Sequence, residues 1–387
     1  MDVFERDRRY VAHTYNRFPL EIVSGKGSLV RGGDGRAYID LGSGIAVNIF
    51  GLCDEAWKAA VTEQLDRFQH CSNLYYAAPV ANLARLLCER TGMERVFFAN
   101  SGAEANECAI KVARKWAAEK KGAEFCNIIT LQKSFHGRTL ATLAATGQEV
   151  FHKDYQPLPG GFLYAEVGDA AGLESLARDY PCAAILFECV QGEGGVMPIG
   201  QAWADAMREV AEKYDLLLIA DEVQIGNGRS GHLYGYMEYG LQPDVVTTAK
   251  GLGGGLPLGA AILSGRVADV LQPGSHGSTF GGNPTCCAGA ISILNRIDDD
   301  LLRGVRERSD YIVRELTGAK GIKNVSGMGL MLGFEPEKPA REFAELALSK
   351  GVLVTTAKQK IRLLPALNIP MDLLEKAVQI LKVCAAE

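Results

Sequence analysis

The chain has 387 residues, 47% of them hydrophobic and 22% charged, the composition of an ordinary globular protein with room for two or three domains. Its 41 basic and 46 acidic side chains leave a formal charge of −5 with no long basic run, which argues against a surface for nucleic acid or anionic membrane. No apolar stretch is long enough to span a bilayer, and the ten cysteines show neither a C-x-x-C pair nor a secreted disulfide spacing, so free thiols, no metal and a cytoplasmic setting are expected.

The opening residues, MDVFERDRRYVAHTY, are charged and lack the apolar core of a signal peptide. GSLVRGGDGRAYID reads as strand structure in an N-terminal arm, residues 1–40. From 41 to 284, apolar runs of strand length alternate with helical or loop segments. ERVFFAN is followed by the helical SGAEANECAIKVARKWAAEKKG, and then come FCNIITL, CAAILFECV, LLLIADEV, DVVTTAK and GAAILSG. That pattern predicts an α/β domain whose mostly parallel sheet is covered by helices on both faces. From 285 to 387, helices at 285–317 and 338–350 flank GLMLGFE and KIRLLPAL, which predicts a smaller α+β lobe that the N-terminal arm joins.

Three segments carry candidate chemistry. In VFFANSGAEANE a strand runs straight into a helix, with Ser101 as N-cap and Glu104 three residues on. Ser-x-x-Glu is a capping box, and a well-made helix start explains it. The small residues Gly102 and Ala103 also leave first-turn N–H groups open to an anion such as phosphate. In LLLIADEVQIGNGRSG, Asp221 closes an aliphatic strand, where a carboxylate needs a cationic or protonated partner. The run from Gly226 to Gly231 matches G-x-G-x-x-G, but it starts five residues past the strand and no helix follows, so it is not read as a dinucleotide site. In PDVVTTAKGLGGG, Lys250 follows another apolar strand and enters a glycine-rich turn. A lysine there is commonly just solvated. Desolvated, its amine loses its proton more readily and becomes a nucleophile.

A neutral lysine, a buried aspartate and an anion-binding helix start fill three different roles in pyridoxal-phosphate chemistry: Schiff-base amine, partner of the ring nitrogen, and phosphate site. SGAEAN, SFHGRTLATLAATG, QGEGGV, DEVQ, AKGLGGG and HGSTFGGNP, in this order, resemble the class III, or ornithine-type, aminotransferases of fold type I. The resemblance runs from Tyr15 to Arg362, and GIAVN and SNLYY are most similar to the acetylornithine-using members.

The resemblance implies pyridoxal 5′-phosphate as cofactor, Lys250 as its covalent anchor and Asp221 on the ring nitrogen. It places Gln224 at the ring hydroxyl, Val223 and Phe135 on the two ring faces, and Ser101, Gly102 and Ala103 at the phosphate. Thr279 is expected to complete the phosphate site of a neighbouring subunit, which implies a homodimer with shared sites. Arg138 and Arg362 are the expected carboxylate-binding residues, whose planar fork suits that ligand. Glu188 is expected to pair with Arg362 when no carboxylate is there, with Ser278 and Tyr15 as further substrate contacts. The implied reaction moves the ω-amino group of acetylornithine to 2-oxoglutarate; succinylornithine, ornithine and 4-aminobutyrate are the alternative donors, and a non-catalytic binding protein is the alternative class. Ornithine-type enzymes tend to carry an aromatic where this chain has Gly44, and GLCDE at 51–55 and Cys189 also depart from the family pattern.

Overall fold

The computed structural model describes Met1–Glu387. Three short strands come first, β1 (Ile22–Lys26), β2 (Leu29–Gly32) and β3 (Ala37–Asp40). The central sheet is built from β4 (Arg95–Ala99), β5 (Asn127–Leu131), β6 (Phe162–Ala165), β7 (Cys182–Phe187), β10 (Leu217–Asp221), β11 (Val245–Thr248) and β12 (Gly259–Leu263); a two-stranded hairpin, β8 (Val190–Gln191) and β9 (Met197–Pro198), interrupts the series. Its order is β4-β12-β11-β10-β7-β5-β6, and only β12 runs against the rest. The expected mostly parallel sheet is thus present. β7, β10, β11 and β12 are buried along their whole length, which explains their continuous apolar sequence.

Because the other six strands point one way, the residues that follow Ala99, Leu131, Phe187, Asp221 and Thr248 come out along the same edge of the sheet. In open α/β sheets that edge is where ligands bind. Helix Gly102–Lys120 packs across the sheet against β4, β5, β7, β10, β11 and β12. Its buried face of Ala105, Cys108, Ala109, Val112, Ala113 and Ala117 is mostly small, so helix and sheet approach closely.

The C-terminal lobe holds the antiparallel sheet β13 (Ile322–Met328), β14 (Met331–Pro336), β17 (Lys360–Leu363), β16 (Thr355–Ala357), in that spatial order. Between β14 and β16 in sequence lies β15 (Val352–Leu353), which leaves its neighbours and pairs in parallel with β3. The N-terminal strands therefore extend the C-terminal lobe. The long helix expected at 285–317 is two helices, Pro284–Leu294 and Asp299–Leu316, the second capped by the Asp298 carboxylate. The first packs against helices Glu55–Arg67 and Ala78–Thr91.

The glycine-rich run 226–231 has a structural task. Its Arg229 is buried and donates through Nη1 to the carbonyls of Leu330 (2.8 Å) and Pro365 (2.9 Å), joining the C-terminal lobe to the central domain.

Candidate active site

Where the strands end, a cavity of about 440 Å³ is lined by Val47, Asn100, Ser101, Gly102, Ala103, Asn106, Phe135, His136, Arg138, Glu188, Asp221, Val223, Gln224 and Lys250, with glycines and short apolar residues between them. Ten of the residues expected from sequence thus meet in one place, drawn from five different strand ends.

Lys250 begins a single 3-10 turn, with a positive φ of 44° that a side chain rarely adopts. The next residue, Gly251, allows the turn: a Cβ there would stand 2.4 Å from Ile49 Cδ1. Burial lowers the Lys250 pKa, opposed by the carboxylates of Glu193 and Asp221 and assisted by the Arg362 guanidinium. The amine is thereby closer to its neutral, nucleophilic form than a surface lysine is.

Asp221, the last residue of β10, is 5% exposed. Its Oδ2 accepts from Asn106 Nδ2 (2.8 Å) and meets His136 Nδ1 (2.7 Å), while Oδ1 accepts only the Val223 N–H (3.1 Å). Oδ1 therefore keeps a lone pair for a partner in the cavity.

Ser101 caps helix Gly102–Lys120 by accepting from Glu104 N (3.2 Å). The capping box is only half formed, since Glu104 reaches back to the N–H of Asn100 (2.7 Å) instead of that of Ser101. Gly102 is required by packing: a Cβ would sit 2.6 Å from Val223. First-turn N–H groups have no partner within a helix, so Gly102 and Ala103 offer two donors to the cavity at the positive end of the helix dipole.

Phe135 and Val223 supply apolar wall. Arg138 lies over the rings of Phe151 (4.4 Å to the centroid) and Phe135 (5.3 Å), which leaves its fork available to a carboxylate. Arg362, 2% exposed, donates to Glu193 Oε1 (2.5 Å), Gln224 Oε1 (2.9 Å) and Thr355 Oγ1 (3.2 Å).

That geometry corrects the expected pairing of Glu188 with Arg362. The partner of Arg362 is Glu193. Glu188 instead accepts the N–H groups of Phe135 (2.8 Å) and Gly192 (3.4 Å), and burial, then the nearby Asp221, raise its pKa well above the usual range. The two glutamates are five residues apart in ECVQGE, and the turn around the β8–β9 hairpin decides which reaches the arginine.

Four expected residues do not line this cavity: Arg362, which reaches it through its bond to Gln224, and Ser278, Thr279 and Tyr15. Ser278 is held from behind by Asn100 Nδ2 (3.1 Å) and Gly281 N (2.9 Å). Thr279 is on the surface beside Asn73 and Leu74, and Tyr15 is 72% exposed on the N-terminal arm. Sequence reasoning missed Glu193, Asn106, His136 and Val47. All four stand in motifs that carried the resemblance, Glu193 in QGEGGV, Asn106 in SGAEAN, His136 in SFHGRTLATLAATG and Val47 in GIAVN.

At the cavity mouth the backbone is left-handed for four successive residues, Ser43 (φ 47°), Gly44 (62°), Ile45 (65°) and Ala46 (65°). Asp40 holds the turn by accepting from the N–H groups of Gly42 (2.8 Å) and Ser43 (2.9 Å). The flanks are tied to the C-terminal lobe, Leu41 to Leu353 and Leu364, and Ile49 to Leu367.

The family pattern for class-III aminotransferases matches residues 10–385. The chain is 44% identical to the acetylornithine aminotransferase of Haemophilus ducreyi, across 97% of this chain and 96% of that protein. It is 42% identical to the succinylornithine transaminase of Salmonella newport, across 93% and 90%. Among solved structures, an ornithine aminotransferase from Toxoplasma gondii with partial occupancy of PLP at its active site superposes with a TM-score of 0.93 at 30% identity, covering 99% of this chain and 93% of that one.

Proposed function

This chain belongs to the class-III aminotransferases, and from that premise we propose that it moves the ω-amino group of N2-acetyl-L-ornithine to 2-oxoglutarate, giving N-acetyl-L-glutamate 5-semialdehyde and L-glutamate, a step of arginine biosynthesis. The observation that carries the reading is the meeting of Lys250, the free face of Asp221 and the open helix start at Gly102 in one cavity.

Those groups fit pyridoxal 5′-phosphate. Lys250 would hold it covalently, Asp221 its ring nitrogen, Gln224 its ring hydroxyl, Val223 and Phe135 its faces, and Ser101, Gly102 and Ala103 its phosphate. When bound, it supplies an electron sink for the carbon that gives up its proton. Freed when the substrate amine takes its place, Lys250 would carry that proton at Nζ between the substrate carbon and the cofactor's carbonyl carbon, which its burial-lowered pKa allows. Asp221, which accepts three hydrogen bonds, would favour a protonated ring. Arg138 binds a substrate carboxylate, and Arg362 binds that of 2-oxoglutarate in place of Glu193.

The homodimer belongs to the same proposal. Thr279 is exposed and away from its own chain's cavity, beside exposed Leu74, Tyr75, Tyr76 and Phe280, which supports its serving a partner's phosphate site. Mixed Thr279→Ala and Lys250→Ala chains put both defects in one site of a heterodimer, so about half of the wild-type activity per dimer should return. No recovery despite proven subunit exchange refutes the shared site. A cytoplasmic location accords with ten free cysteines and with the absence of any helix long and apolar enough to cross a membrane.

Initial rates with acetylornithine, succinylornithine, ornithine and 4-aminobutyrate, each with 2-oxoglutarate, test the substrate. Acetylornithine should give the highest kcat/KM; a clear preference for another donor displaces it, and no turnover with any of them, on protein that shows no visible cofactor band, leaves the binding-protein reading. The relative that uses succinylornithine makes that donor the second choice.

A further inference from the structure

Asp221 stands at the end of a one-way string of hydrogen-bond donors. The Gly147 N–H donates to Ser134 Oγ (2.9 Å). Ser134 must place its own proton, and the acceptor within reach is Thr130 Oγ1 (3.2 Å). That leaves the Thr130 proton for His136 Nε2 (3.1 Å). A ring that accepts at Nε2 carries its hydrogen on Nδ1, 2.7 Å from Asp221 Oδ2. From the other side, the Thr247 hydroxyl donates to Asn106 Oδ1 (2.7 Å), which fixes the amide so that Nδ2 serves the His136 carbonyl (2.8 Å) and Asp221 Oδ2 (2.8 Å). Thr130, Ser134, Asn106, His136 and Thr247 are each at most 2% exposed, so they are shielded from bulk solvent.

We propose that His136 is a positioning residue, held neutral with its proton on Nδ1 by the Ser134–Thr130 hydroxyl pair, so that Asp221 is fixed in place yet keeps its whole negative charge for a cationic partner in the cavity. An imidazolium at this position would neutralise the carboxylate from behind. It would also require Thr130 to accept, turning the Thr130 proton onto Ser134 and leaving the buried Ser134 proton without an acceptor, a costly arrangement. The neighbouring donors thus select the tautomer, as they do for histidines bound to metals.

The identity of the cationic partner rests on the cofactor reading above; the tautomer does not. The test is nitrogen NMR on protein labelled at its six histidines, with His136→Asn identifying the His136 signals. The expected result, in the protein with and without pyridoxal phosphate, is an unprotonated Nε2 and a protonated Nδ1. Thr130→Val keeps the shape and removes the donor. It should shift the Nε2 signal toward the protonated form and weaken pyridoxal phosphate binding, read by absorbance, about 10-fold. His136→Asn keeps a donor toward Asp221 and should stay within about 3-fold of wild type, whereas His136→Leu should lose roughly 10–100-fold. An imidazolium or an Nε2–H tautomer in the wild type overturns the proposal, as does a Thr130→Val protein unchanged in both readouts. Wild-type protein that takes up no pyridoxal phosphate refutes the cofactor reading instead, and the nitrogen spectra still decide the tautomer.

Discussion

The floor and the mouth of the cavity are built in opposite ways. On the floor, Asp221 and the groups behind it are buried and paired almost to saturation. Strain is confined there to the backbone of Lys250. At the mouth, four consecutive residues are left-handed and three of them are not glycine. Such residues cost roughly 1–2 kcal/mol each, so the turn stores on the order of 3–6 kcal/mol. It persists because Asp40 and the bonds from Leu41 and Ile49 to the C-terminal lobe fix both of its ends. A saturated floor suits a step common to every donor. A strained turn closed by its own backbone bonds and tied at its ends to the other lobe suits the part that must differ between donors.

Substitutions on the floor should therefore lower activity with all donors alike, and substitutions at the mouth should change their ratio. The largest effect is expected for Lys250→Ala, which removes anchor and proton carrier together. It should fold, show no covalent cofactor band in its absorbance spectrum, and lose about 10³-fold or more in kcat. Near-normal turnover would assign the chemistry to another lysine. Asp221→Ala should keep the cofactor more weakly and lose about 10²–10³-fold with each donor, measured as kcat/KM across the donor panel. A loss confined to one donor would break the contrast.

Gly44→Tyr probes the mouth. A Cβ there has ordinary room, 3.4 Å from Asn48 Nδ2 and 3.7 Å from Val47 Cβ, but φ is +62°. Stability should fall by about 1–2 kcal/mol, and the kcat/KM ratio of acetylornithine to ornithine should move toward ornithine by about 10-fold. Equal loss on both donors would leave Gly44 as a backbone requirement only.

The smallest effect concerns stability alone. Glu222, next to Asp221 but pointing away from the cavity, accepts the N–H groups of Gly235 (2.7 Å) and Tyr236 (2.8 Å), and burial pushes its pKa up to about 7. The folded state then holds a proton that the unfolded state releases near pH 4.5. Stability from this group must fall as pH rises between about 4.5 and 7, since the unfolded chain binds fewer protons there. Urea midpoints at pH 5 and pH 8 should differ less in Glu222→Gln than in wild type; an unchanged difference would mean that Glu222 does not titrate in this window.

Much of the floor could be read from the sequence, because an apolar strand that ends in Asp221 or runs into Lys250 departs from its own pattern at the residue that matters. His136 and Asn106 gave no such mark. Their roles depend on partners 85 and 115 positions away, which the sheet brings near for His136, beyond the end of β5, and the packing of helix Gly102–Lys120 for Asn106. Glu188 and Glu193 lie in one short loop, and strand periodicity no longer fixes which of them turns toward Arg362 once β7 has ended. The mouth was the least legible. Glycine at 44 suggested a turn, but nothing in Ser43, Ile45 or Ala46 announces a left-handed backbone, since it is imposed by contacts with the C-terminal lobe.

The parallel pairing of β3 with β15 has a bearing on how the chain comes to be folded. Ile39 pairs with Val352, roughly three hundred residues later. During synthesis the central domain can close around its own sheet, while β3 stands with an unpaired edge until nearly the whole chain has emerged. Contacts of such separation are slow to form, and an open strand edge is where a growing chain meets its neighbours. The mouth turn, three residues beyond β3 and tied to Leu353, waits on the same event. The left-handed turn is thus among the last parts of the chain to take its final form.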